Sequence, residues 1–244
     1  MSYRLPRRLI LAFGGALLAT LALFAVLARP PALPGYDAAR AAYRPSESWL
    51  YDRRGRLLDS ERVDFAVRRL GWTPLAGIAP PLREAVIAAE DRRFWGHGGV
   101  DWLALAAALR ARLSGGRPRG ASTITMQLAG FLAPDLARPG ARGWRDKLRQ
   151  MRAAWAIEAT WTKPQILEAY LNLAGFRGEA QGVAAAAQTA FAKPPAALSA
   201  DEALLLVALL PDPRSPPAAL AARACRLRGG GACDDLAGLA HGML

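Results

Sequence analysis

A mainly helical domain with one small β-hairpin, set behind an N-terminal transmembrane helix, is the fold class that the sequence predicts. Three observations predict it. Leu9 to Leu27 form an uncharged apolar run of 19 residues. From about residue 73 to residue 210, apolar side chains recur at helical spacing between capping residues and Gly or Pro stops. Strand-like sequence is confined to residues 48–70. A composition 52% hydrophobic and 21% charged over 244 residues supplies a packed core and argues against disorder.

The apolar run matches the length a helix needs to cross roughly 30 Å of hydrocarbon. Arg4, Arg7 and Arg8 before it, with Arg29 alone directly behind, place the N-terminus in the cytoplasm and the rest of the chain outside. A cleaved signal peptide ending at Val26-Leu27-Ala28 is the competing reading, with the same consequence for the rest. The expected organisation is a cytoplasmic segment 1–8, an anchor 9–28, a proline-rich stalk 29–44, a main domain 45–215 and a tail 216–244.

Trp49-Leu50-Tyr51, the turn Asp52-Arg53-Arg54-Gly55 and Leu57-Leu58 predict the hairpin. Thr73-Pro74 reads as a helix entry, a capping hydroxyl followed by proline. Leu82, Ala85, Val86 and Ala89 then share one face, and Glu90 comes next on it, carried to the edge of the core. A helix over 101–113 stops at Ser114-Gly115-Gly116. A longer one from 144 to 161 has Trp144, Leu148, Met151 and Trp155 along one side, a stripe read as packing. Thr162 to Gln165 and Ser199 to Glu202 are capping boxes that open two further helices. Cys225 and Cys233 flank a Gly-rich loop; outside the cytoplasm they suit a disulfide, with two free thiols as the alternative, and their spacing is not that of a zinc site.

The net charge of +12 is almost all arginine, Lys147, Lys163 and Lys193 being the lysines. Such an excess attracts nucleic acid, an anionic membrane surface or a phosphorylated substrate. The anchor, and the lack of any groove-reading motif, exclude nucleic acid.

Four segments carry the chemistry. The first runs Glu90-Asp91-Arg92-Arg93-Phe94-Trp95-Gly96-His97-Gly98-Gly99-Val100-Asp101. The second is Gly120-Ala121-Ser122-Thr123-Ile124-Thr125-Met126-Gln127. The third extends from Arg142 through Lys147 and Arg149 to Gln150. The fourth is Ile166-Leu167-Glu168-Ala169-Tyr170-Leu171-Asn172, followed by Phe176-Arg177-Gly178 and Gln181-Gly182. In this order and spacing they resemble the peptidoglycan glycosyltransferase domain, glycosyltransferase family 51, over roughly residues 45–215. Trp95, Met126 and Phe176-Arg177-Gly178-Glu179 are similar to the penicillin-binding protein 1C branch. Members of that branch continue into a transpeptidase. Here Trp144, Thr160 and Ala190 stand three residues before the lysines, so no Ser-x-x-Lys exists, and the chain is expected to be monofunctional or a truncated bifunctional protein.

The resemblance implies a lysozyme-like fold whose cleft opens near the membrane. It implies a single-pass protein of the inner membrane, its catalytic domain on the periplasmic side. It implies polymerisation of glycan strands with inversion: a glycan chain on undecaprenyl pyrophosphate is transferred to the 4-hydroxyl of lipid II. Glu90 is then the catalytic base, its pKa expected to rise at the core edge, with Gln150 beside it in the catalytic set. Asp91, Arg93, Ser122, Thr123 and Gln127 are implied as substrate-binding, and Arg142, Lys147 and Arg149 as cations for the pyrophosphate. No cofactor is required and no metal site is visible, although a divalent cation, Mg or Mn, could assist the pyrophosphate. The implied partners are lipid II, the lipid-linked chain, the membrane and a separate transpeptidase.

Three departures stand against the family pattern. Gln150 replaces a glutamate, Gly130 replaces a basic residue, and Ala190-Phe191-Ala192-Lys193 replaces Tyr-Phe-Gly-Lys. They motivate one rival, a catalytically degraded module that only binds lipid II. A lysozyme-like hydrolase is the other; it needs a second carboxylate across the bond, and Glu168 and Glu179 are the candidates. His97 reads as a hydrogen-bonded core histidine.

Overall fold

A computed structural model describes residues 32–116, 122–133, 136 and 144–243, with Gly15, Leu18 and Thr20 nearer the N-terminus; the side chains of Leu57, Trp144 and Arg145 are set aside. Those three N-terminal residues are helical, and the rest of the predicted span 9–28 lies outside the described residues. Among the described residues no helix is long and apolar enough to cross a membrane.

The expected stalk is not extended throughout. Tyr36–Ala42 form α1, which buries Ala39. Tyr36 sets its ring edge-on to Trp72 and Trp161 and donates its phenol to the Glu168 carboxylate. The hairpin forms where predicted: β1 (Glu47–Tyr51) pairs antiparallel with β2 (Leu57–Arg62), Glu47 opposite Arg62, with an irregularity at Leu50/Tyr51. The Asp52 carboxylate accepts from the amides of Arg54 and Arg56, both at 2.8 Å, and Gly55 takes the positive φ of 75° that closes the turn.

Thr73-Pro74 does not open a helix. The Thr73 amide donates to Asn172 Oδ1 at 2.8 Å, and Asn172 Nδ2 returns a bond to the Thr73 carbonyl at 2.9 Å. The chain is pinned extended there and makes only a 3₁₀ turn over Leu75–Gly77. The helix α2 starts at Pro80 and ends at Glu90, with Pro80-Pro81 in its first turn, where the missing amides would have no helical partner anyway.

Asp101 caps α3 (Trp102–Leu113), accepting from the Ala104 amide. Thr123 caps α4 (Ile124–Leu132), accepting from the Met126 amide. Then come α5 (Trp144–Glu158), α6 (Lys163–Leu173), α7 (Val183–Phe191) and α8 (Ala200–Leu209). Both predicted capping boxes are formed, opening α6 and α8. The apolar α8 is the central post: α2 packs on one side of it, and α4 packs against α5 and α6. Residues 216–244, read from sequence as a tail, build α9 (Pro217–Arg228) and α10 (Asp234–Gly242). Their Leu220, Ala224, Leu236 and Ala240 enter the main core, and a disulfide joins Cys225 to Cys233.

Two apolar surfaces face outward. No side chain of α3 is buried, and Trp102, Leu103, Leu109 and Leu113 are all more than half exposed. Among the described side chains of the expected packing stripe of α5, Met151 is buried while Leu148 and Trp155 are exposed, and the Trp155 ring lies 6.0 Å from that of Trp102.

Candidate active site

Helix α2 delivers Glu90 as its last residue, and Asp91 follows in a non-helical conformation that turns the chain back. Asp91 is buried; it accepts from the Ile124 amide at 3.0 Å and faces His97 Nε2 at 2.9 Å. The carboxylate therefore ties the end of α2 to the start of α4 and does not reach toward a ligand. His97 is, as expected, a hydrogen-bonded core histidine, its Nδ1 buried without a partner. Thr123 is spent in the same joint: its hydroxyl donates to the Gly99 carbonyl at 2.6 Å while capping α4. Gly99 must be glycine, because it holds φ 90° and a Cβ would lie 2.9 Å from the Ala154 carbonyl oxygen of α5.

That joint brings the first and second segments face to face. Gln127, one turn into α4, donates Nε2 to Glu90 Oε2 at 2.8 Å. Ser122, just before α4, accepts from Lys147 Nζ of α5 at 2.6 Å. Arg93, three residues after Glu90 and expected to bind substrate, is engaged with another side chain. It makes a two-pronged pair with Asp101, Nε to Oδ2 at 2.9 Å and Nη2 to Oδ1. Burial opposes ionisation of Asp101, but the Ala104 amide and the Arg93 guanidinium outweigh it and hold the carboxyl below its ordinary range. Arg93 is thus a brace on the cap of α3. An open cleft of about 670 Å³ is lined by Arg92, Arg93, Trp95, His97, Asp101 and Trp102, all from the first segment and the start of α3.

Gln150 is half-buried on α5. Its Nε2 donates to the Leu136 carbonyl at 2.7 Å, fastening the segment after α4 to α5. Arg149 is exposed on α5, Gly130 is buried within α4, and Arg142 lies outside the described residues.

Three further carboxylates, Glu158, Glu168 and Glu179, are occupied. Glu168 accepts from Trp72 Nε1 and the Leu75 amide, both at 2.7 Å, as well as from Tyr36. Burial pushes its pKa up, and these donors more than reverse it, leaving it below the ordinary value. Glu158 accepts from Thr125 and Lys163, both at 2.7 Å, and Glu179 pairs with Arg62. Among the described residues no group of three His, Cys, Asp or Glu side chains could hold a metal ion.

Sequence reasoning assigned no role to Asp101 or Tyr170. An Asp directly before a helix is a capping signal, so Asp101 was findable. Tyr170 was not: its phenol donates to Gln127 Oε1 at 3.1 Å, 43 residues away in sequence.

The family described as Transglycosylase matches residues 58–228. The chain belongs to the transglycosylase family. This is the family that the four segments resemble, and the match reaches through α9, past the boundary expected at 215. Three relatives carry the name biosynthetic peptidoglycan transglycosylase. The one from Rhodospirillum centenum is 49% identical over 145 residues, 59% of this chain and 60% of that protein. The one from Pasteurella multocida is 43% identical over 142 residues, 58% of this chain and 56% of that protein. The one from Agrobacterium fabrum is 39% identical over 142 residues, 58% of this chain and 61% of that protein. The chain thus spans about 60% of the length of the curated relatives it matches. These relatives are not named penicillin-binding proteins, so the likeness to the 1C branch rests on Trp95, Met126 and the Phe176 segment alone.

Proposed function

We propose that this member of the transglycosylase family polymerises peptidoglycan glycan strands, with Glu90 as the base. The observation that carries the reading is the state of that carboxylate. Glu90 sits half-buried at the end of α2, held at one oxygen by a neutral amide, while Arg93, three residues on, is bound to Asp101 and Arg92 donates to the Ala88 carbonyl. A carboxylate so placed keeps its charge available for a proton instead of spending it on an ion pair.

In the proposed step Glu90 takes the proton of the lipid II 4-hydroxyl as its oxygen attacks the anomeric carbon of the lipid-linked chain. The bond to undecaprenyl pyrophosphate breaks on the opposite face, inverting the centre. The leaving group gathers negative charge and needs cations, not a proton. Lys147, aimed at Ser122 on the same end of α4, supplies one; Arg149, and Arg142 ahead of α5, are the further candidates. Asp91, Arg93 and Thr123 are assigned to holding the frame, and Gln127 to holding Glu90. A hydrolase is disfavoured because its candidates for the second carboxylate, Glu168 and Glu179, are each committed to donors.

Location belongs to the same proposal: a single-pass protein of the inner membrane, anchored through 9–28, with a lysozyme-like domain outside. The bare apolar α3 and the exposed Trp95, Trp102 and Trp155 support a domain that lies on the bilayer where lipid substrates are embedded. The Cys225–Cys233 disulfide suits an oxidising compartment. Lipid II and the lipid-linked chain are then the partners, with a transpeptidase acting on the product.

The test is polymerisation of labelled lipid II by the full-length protein and by Glu90→Gln. Polymer from the former and at least about a hundredfold less from the latter is expected, the usual contribution of a general base. Equal polymer from both would end the assignment of Glu90. Binding of lipid II without polymer would leave the non-catalytic module in its place.

A further inference from the structure

The carboxamide of Gln127 faces two partners at once. Its Nε2 end donates to Glu90 Oε2 at 2.8 Å, and its Oε1 end accepts the Tyr170 phenol at 3.1 Å. An amide can be turned end for end at no cost in shape, so what surrounds it decides which end meets Glu90. Turned the wrong way, Gln127 would set a carbonyl oxygen against a carboxylate.

Tyr170 removes that freedom. It is 1% exposed, on the buried face of α6, with the Phe131 ring 5.7 Å from its own. Burial, and then the charge of Glu90, push its phenol well above the ordinary value, so it stays protonated and can only be satisfied here as a donor. A buried donor fixes an acceptor opposite it, and the acceptor end of Gln127 is Oε1. The amino end is then left for Glu90.

We propose that Tyr170 is a positioning residue for transfer: through Gln127 it orders the Glu90 carboxylate, with Oε2 held and Oε1 presented to the acceptor hydroxyl. The inference rests on the reading of Glu90 as the base. Tyr170 touches no substrate in this role. It acts on how often the carboxylate stands in the productive rotamer, and so on kcat and hardly on KM.

The test is a double-mutant cycle on the full-length protein, with kcat and KM for lipid II and thermal denaturation measured for each variant. Tyr170→Phe removes one oxygen and keeps the ring. It is expected to lower kcat about tenfold, the equivalent of one lost orienting hydrogen bond, with KM changed less than about twofold. Gln127→Met is expected to lower kcat by at least as much. Because Tyr170 acts through Gln127, the pair Gln127→Met/Tyr170→Phe should be no slower than Gln127→Met alone. The pair also leaves neither the buried phenol nor the amide unpaired, so it remains informative if Tyr170→Phe alone melts below the assay temperature. Wild-type kcat in Tyr170→Phe, or multiplied losses in the pair, would overturn the proposal while Glu90→Gln stays inactive. An active Glu90→Gln would instead overturn the reading beneath it, and the positioning role with it.

Discussion

Ala192 ends α7 with φ 52° and ψ 37°, left-handed backbone that an alanine adopts only with strain. The position is a helix C-cap, where glycine is the common choice, and the related motif has glycine there. The strain is held because the next residue is anchored: Lys193 pairs with Glu202 at 2.7 Å, inside the capping box that opens α8. Ala192→Gly removes a conformational penalty of about 1–2 kcal/mol, against roughly 0.5–1 kcal/mol of extra freedom gained by the unfolded chain. The net expectation is a protein more stable by about 0.5–1 kcal/mol, a melting temperature higher by about 1–4 °C. Calorimetry of the two forms checks it, and a lower melting temperature for the glycine form would refute it. At this scale the departure in the sequence was visible, while its physical meaning waited on the backbone angle.

The pair α9 and α10 is the element that the sequence left as a tail, and its turn explains both the glycines and the cysteines. Gly229, Gly230 and Gly231 hold φ values of 100°, 86° and 97°, a run that side chains would resist. So loose a turn is free to open in the unfolded chain, and the Cys225–Cys233 bond across a separation of eight residues removes that freedom. Loop closure of this length is worth about 2.5 kcal/mol in the chain-entropy account. Cys225→Ser/Cys233→Ser should therefore melt about 5–10 °C lower, and the native protein in reductant should match it. No difference between oxidised and reduced melting would show that the core contacts of Leu220 and Leu236 hold the pair unaided. The elements that were legible share one property, that their signals are local. The hairpin turn, both capping boxes and the Glu90 stripe are each read from residues within one or two turns of each other. The failures came from distance. Asn172, 99 residues on, took the Thr73 carbonyl that would have accepted a helix's first bond. The bond from Gln150 to the Leu136 carbonyl, 14 residues back, was likewise out of reach of local pattern. The α5 stripe failed differently, since an apolar row facing outward reads the same as one facing the core.

Taken as a whole, the molecule is divided by polarity in a way that no single element reveals. Its main core gathers around α8, and α3 contributes nothing to it although the helix is almost wholly apolar. Its apolar residues lie beside Trp95 and Trp155, with Arg110 and Arg112 exposed toward its end, in a chain whose net charge is +12. Water is a poor environment for such a helix and a bilayer interface a good one, because apolar side chains, indole rings and arginines each find their preferred depth there. Leu103→Glu/Leu109→Glu alters only exposed positions, so thermal stability should change by less than about 0.5 kcal/mol. Activity should then depend on how the substrate is presented. Toward lipid II embedded in vesicles the variant is expected to lose at least about tenfold, since two leucines no longer enter the interface and each contributes on the order of 1–2 kcal/mol when buried. Toward a short-chain, water-soluble analogue of lipid II it should match the native protein. Equal losses on both substrates would mean that α3 serves the reaction itself, as a wall of the cleft that Trp102 and Leu103 line, and not the approach to the membrane.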